Sequence, residues 1–198
     1  MNKLCYYLLI ISIFFGSVAS AQTFQGQILS SSDDAEEKFN GTTVTTSSSD
    51  IELVYDTWND QGLQTIGLRF DDVTIPANAT VSNAYIQFTA DGDYSGNLTM
   101  TISGEDIAIS NSFSSSFSNI SNRIPTTENV LWTLTTSWND EQAGLTQRTP
   151  DLSAIVTEVL SSNGWQSGNP VTFIITGTGS ETARRRAYSF DENSTKAA

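Results

Sequence analysis

Thr149-Pro150-Asp151-Leu152-Ser153-Ala154-Ile155-Val156-Thr157-Glu158-Val159-Leu160 is the one helical stretch in a chain otherwise patterned for strands. Thr149 is an N-cap candidate, and Pro150 suits the first helical position. Asp151 favours the positive end of the helix. Leu152, Ile155, Val156, Val159 and Leu160 recur at the spacing of a single buried face. Asn163-Gly164 supplies a left-handed stop. The spacing therefore predicts a helix near 150–162, with Trp138 before it and the strand Val171-Thr172-Phe173-Ile174-Ile175 after it. One amphipathic helix buries one face only, so it covers the flank of something larger.

That larger part is sheet. Ile51, Leu53 and Tyr55 alternate with Asp50, Glu52 and Val54. Ile66, Leu68 and Phe70 alternate with Gly67, Arg69 and Asp71, and Leu98, Met100 and Ile102 with Thr99, Thr101 and Ser103. Ala84, Ile86, Phe88 and Ala90 continue the theme. A period of two with one apolar face marks half-buried antiparallel strands. Turn signals such as Asn59-Asp60-Gln61-Gly62, Pro76-Ala77-Asn78 and Asp91-Gly92-Asp93 separate the runs. The expected fold is all-β, a two-sheet antiparallel β-sandwich of jelly-roll-like form with one flanking α-helix. Residues 106–129 break the rhythm and read as a long surface loop pinned by Phe113, Phe117, Ile120 and Ile124. Ala187-Tyr188-Ser189-Phe190 reads as a late strand, after which Asp191–Ala198 trails off polar. The chain is expected to stop before a closing strand and to continue into other domains of a longer protein.

The first 21 residues read as a secretory leader. Lys3 is its basic start, Tyr6–Phe15 its apolar run and Ala19-Ser20-Ala21 its cleavage site. The apolar run is too short to span a bilayer. The expectation is a protein exported to the cell surface or medium, with residues 22–198 as a single domain. The lone cysteine, Cys5, lies in the leader, so the domain must hold together without disulfides.

The chain has 22 acidic and 9 basic residues, a net charge of −13. Without Lys3, 8 basic residues face 22 acidic ones, giving −14. A phosphate backbone would be repelled, which argues against nucleic acid as a partner. The absence of histidine removes Ser-His-Asp chemistry and the usual zinc ligands. Any catalysis would rest on carboxylates, Tyr, Lys or Arg.

Gly67-Leu68-Arg69-Phe70-Asp71-Asp72-Val73-Thr74-Ile75-Pro76-Ala77-Asn78-Ala79-Thr80-Val81-Ser82-Asn83-Ala84-Tyr85-Ile86-Gln87-Phe88 resembles a pattern of DNRLRE-type domains. These are secreted bacterial β-sandwich modules similar to carbohydrate-binding modules. Trp138 and the segment Pro150–Glu158 resemble their tryptophan-plus-helix signature, and Arg186–Ser189 also fits. The resemblance covers nearly all of residues 22–198. It implies a non-catalytic module bound for a polysaccharide or surface glycan.

Several residues are candidates for that role. Trp58, in Asp56-Thr57-Trp58-Asn59-Asp60, could stack on a sugar ring while Asn59 and Asp60 bond its hydroxyls. Tyr94 is a second platform. Arg184 and Arg186, two apart on a strand, could grip a uronate or sulfate, or neutralise nearby carboxylates. Asp33, Asp34, Glu36 and Glu37 form the densest acidic cluster and are the candidate ligands of a structural Ca²⁺. Asp56, Asn59 and Asp60, with Asp91 and Asp93, form a second oxygen-rich set. Glycan binding leads the functional reading. A structural or adhesive spacer and a carboxylate-dependent glycan-active enzyme are the alternatives.

Overall fold

The computed structural model describes residues 22–198; the expected leader lies outside the described residues. Among them are nine strands: β1 (Asp34–Lys38), β2 (Val44–Thr45), β3 (Asp50–Leu53), β4 (Tyr55–Asp56), β5 (Gly62–Phe70), β6 (Leu98–Glu105), β7 (Pro125–Leu134), β8 (Val171–Gly177) and β9 (Arg185–Tyr188). The large sheet runs β2-β1-β5-β8-β6-β7, with β4 also paired to β5. The small sheet pairs β3 with β9, and every pairing in both sheets is antiparallel. The chain is thus an all-β sandwich.

The alternating residues do what a period of two requires. Ile66, Leu68, Met100, Ile102, Phe173 and Ile175 all enter one buried cluster from the large sheet. Ile51, Leu53 and Ala187 meet it from the small one. Phe88, Trp132 and Trp138 pack at its centre, with ring centroids 5.7 to 6.4 Å apart. The Trp138 indole donates to the Thr146 carbonyl at 2.9 Å, and that of Trp165 to the Ile75 carbonyl at 3.1 Å. Both rings can therefore be buried without stranding their N–H groups.

The predicted strand at 84–90 is extended but not a regular ladder. It touches its neighbours through single bridges, Gln87 to Arg148 and Ala90 to Ala187. The facing segment, 138–149, contains turns and a 3₁₀ turn at Leu145–Gln147, so no continuous partner exists. The Ala90 bridge places this segment beside β9 of the small sheet.

The helix is shorter than predicted: α1 spans Ser153–Leu160. Thr149 does not cap it. Its hydroxyl accepts from the Ile86 N–H at 3.0 Å, across the chain. Asp151 instead accepts from the Ser153 N–H at 3.0 Å and from the Ala84 N–H at 2.9 Å. Those bonds favour its ionised form and hold its carboxyl below the usual range. Ile155, Val156, Val159 and Leu160 are buried, with Leu152 just before them. Gly104 on β6 lets this face approach: a Cβ there would lie 2.8 Å from Ile155 Cγ2 and 3.0 Å from Val159 Cγ2.

The loop expected over 106–129 ends earlier, because β7 begins at Pro125. Phe113 and Ile120 pin it as expected, joining Ala35, Val44 and Ile174 in a second apolar cluster. Phe117 and Ile124 do not; they are 68% and 70% exposed. The end of the chain does not trail away. Phe190–Asn193 forms a short helix, α2, and the Ile28 N–H donates to the Ala198 carbonyl at 2.8 Å.

Candidate functional site

The open edge of the sandwich, where β1 and β2 approach β3 and β4, holds a cleft of about 580 Å³. Its floor is acidic. β1 pairs Glu36 opposite Ile66, so Glu36 takes a position that would otherwise belong to the core. Ile51 and Leu53 use one face of β3, which turns Asp50 and Glu52 to the other. The Glu36 Oε1 atom accepts the Glu52 N–H at 2.5 Å, and the two carboxyl groups hydrogen-bond to each other. Each residue is only 6% exposed.

Two carboxylates in contact cannot both stay charged at ordinary cost. Burial pushes Glu36 up to about 7. Burial, then the bond to Glu36 and the charges of Glu36, Asp50 and Asp56, push Glu52 up to about 11. The pair therefore holds at least one proton at neutral pH. Asp50 is also raised by burial, although Arg186 opposes the shift.

The rim comes from β4, the turn after it and β9. Trp58 sits in a 3₁₀ turn at Trp58–Asp60 and is 73% exposed. Asp56 holds that turn by accepting the Trp58 N–H at 2.6 Å. Arg184 and Arg186 also line the cleft. Arg186 pairs with Asp50 at 2.7 Å and Asp91 at 3.2 Å, which is the neutralising role. Tyr94 lies behind the rim, its ring centroid 4.9 Å from the Arg184 guanidinium and 5.4 Å from that of Arg186. Its ring face is turned to the two arginines. Arg185, between them, points the other way and is fully buried.

The structure thus brings Trp58, Arg184, Arg186 and Glu36 together, with Tyr94 in support. Asp60 lies outside the cleft, in a left-handed turn position, with its carbonyl accepting from the Lys38 ammonium at 3.1 Å. Asn59 belongs to the same turn, and its side chain lies outside the described residues.

The four candidate Ca²⁺ ligands are not brought together. Asp33 pairs with Arg69 at 2.6 Å. Asp34 accepts the Phe190 N–H at 2.8 Å, and burial raises it to about 6. Glu36 turns to Glu52. Glu37, on the opposite face of β1, accepts the N–H groups of Ile120 at 2.6 Å and Ser121 at 3.1 Å. Each carboxyl already serves a different neighbour, so this set does not fit a calcium ion. The second oxygen-rich set is likewise dispersed: Asp56 caps its turn, Asp91 pairs with Arg186, and Asp93 accepts the Asp140 N–H at 2.8 Å. Among the described residues, no group of three or more carboxylates stands in a metal-binding arrangement.

Asp50 and Glu52 are site residues that sequence reading missed, while Asp56 was noted only as part of the second oxygen-rich set. Their signal was present, since the polar positions of the Asp50–Leu53 alternation are both acids. A solvent-facing strand looks the same. No protein-family model matches the chain, and no curated protein matches it.

Proposed function

We propose that this protein is an exported, non-catalytic β-sandwich module that binds a polysaccharide or surface glycan in the Trp58 cleft. The observation that carries this reading is an indole 73% exposed at the rim of a cleft floored with hydroxyl-bonding groups. An apolar ring beside carboxyl, amide and hydroxyl groups suits a sugar, which presents C–H faces and O–H edges. The resemblance to DNRLRE-type modules and the leader-like first 21 residues support export and the glycan class.

The preferred ligand is neutral or amine-bearing. Arg186 is already bridged to two carboxylates, and Glu36, Asp50, Glu52 and Asp56 all line the cleft. A uronate would add a like charge to them. The same pair supports the non-catalytic reading. Glycosidase carboxyls stand roughly 5 Å or more apart with the bond to be cut between them, whereas Glu36 and Glu52 bond to each other.

A glycan array with residues 22–198 tests the reading. Neutral or amino-sugar polysaccharides are expected to bind, with uronic-acid polymers at least tenfold weaker. Trp58→Ala is expected to abolish binding and leave the melting temperature unchanged, because the ring is exposed. No binding to any polysaccharide by a folded protein would sink the proposal in favour of a spacer module.

A further inference from the structure

The floor of the cleft joins the two sheets through a contact that depends on a proton. Glu36 belongs to β1 of the large sheet and Glu52 to β3 of the small sheet. Their union consists of a backbone bond, Glu52 N–H to Glu36 Oε1 at 2.5 Å, and the carboxyl–carboxyl bond beside it. We propose that Glu36 and Glu52 form a proton-operated clasp, closed while the pair holds a proton and released as that proton leaves, so that β3 parts from β1 and the cleft opens.

The surroundings compensate the pair only in part: the Ser48 hydroxyl bonds Glu36 and the Arg186 charge reaches Glu52, yet both carboxyls stay raised. On β3 the nearest charge is Asp50, and on β4 it is Asp56; both repel a second negative charge. On β9 the Arg186 guanidinium bridges Asp50 and Asp91 and reaches Glu52 only through its charge, and Arg184 just before β9 lines the same cleft without an ion pair to either glutamate. Tyr94 stacks against Arg184 and Arg186 rather than bonding to the pair. On β1 itself, Lys38 shares the face of Glu36 but donates its ammonium to the Asp60 carbonyl. On β5 the neighbour is Gln64, which is uncharged. A fully ionised pair would therefore be two buried anions in contact, and parting is the way to hydrate them.

The consequence is quantitative. In the closed form Glu52 keeps a proton that an exposed carboxyl gives up near 4.5. Each pH unit above neutrality then favours the open form by about tenfold, the linkage of one proton. This behaviour belongs to the scaffold and does not depend on which ligand occupies the cleft.

Native-state hydrogen exchange at the Glu52 amide reads the clasp directly, because that N–H is the one bound by Glu36. Its protection factor is expected to fall about tenfold per pH unit between pH 7 and 9. Glu52→Gln keeps a neutral donor towards Glu36 and is expected to abolish the slope, while the Ile175 amide in β8 stays better protected than the Glu52 amide at every pH, which marks the opening at Glu52 as local. A pH-independent protection factor at Glu52, or an equal slope in Glu52→Gln, would overturn the proposal. Should Glu52→Gln fail to fold, carboxyl ¹³C shifts of the unaltered protein decide. A Glu52 carboxyl still protonated at pH 7 supports the clasp, and ordinary titration of both groups between pH 4 and 5 overturns it. Glycan binding is measured separately, so failure there leaves this result untouched.

Discussion

Arg185 shows how far a residue's role can lie from its type. Arginine is rarely fully buried without an acidic partner, yet Arg185 has none. Its guanidinium donates to the carbonyls of Ser95, Arg184, Gly96 and Thr136 at 2.7 to 2.9 Å. Burial lowers its pKa from the usual value. One side chain thereby ties β9 to the turn before β6 and to the loop after β7, and it fixes the two arginines that flank it at the cleft. Arg185→Ala would strand buried carbonyls and is expected to cost about 3–5 kcal/mol in denaturant unfolding. Arg185→Lys is expected to recover little, since one ammonium cannot span the three segments. A loss below about 1 kcal/mol would contradict this account. Trp58 is the opposite case: most of its ring is in solvent, and its truncation is expected to register in binding alone.

Among the elements, α1 was the most legible in sequence and its first turn the least. The buried face follows from residue spacing, which is local. The start depends on Thr149 and Asp151, whose side chains are taken by the N–H groups of Ile86 and Ala84 more than sixty residues away. No local rule weighs such partners. The same limit hid β7, whose Trp132 and Leu134 alternate but whose opening residues read as loop. Where α1 meets β6, Gly104 is the contact that matters. Gly104→Ala would push a methyl against Ile155 and Val159, branched side chains already in the core. It is expected to destabilise by about 1–3 kcal/mol through overpacking. Substitution of the exposed Gly144, whose Cβ would meet only the Gln147 side chain, serves as the control.

At the scale of the whole molecule, acidity governs stability in an uncommon direction. Asp34, Glu36 and Glu52 are all raised in the folded state, the first to about 6 from 3.8 and the second to about 7 from 4.5. Between those limits the folded protein holds protons that the unfolded chain has released. Stability from these groups is complete below about pH 4 and drains away as pH rises. The net charge of −13 adds self-repulsion in the same range. The melting temperature is expected to fall from pH 5 to pH 8, and Glu52→Gln is expected to make that fall shallower. A melting temperature that climbs over this interval would show that the buried carboxyls are ionised in the folded protein.

The amino-acid sequence by itself determined the all-β class, the flanking helix and the buried faces of β3, β5 and β6. Each is encoded by a repeat of two or 3.6 residues that any local segment displays. Only the tertiary structure decided which acids share a site. Glu36 and Glu52 lie on different strands of different sheets, and Asp33, Asp34 and Glu37 leave Glu36 for separate partners. A carboxyl on an alternating strand looks solvent-facing until the second sheet arrives to bury it, and burial gives the pair its proton.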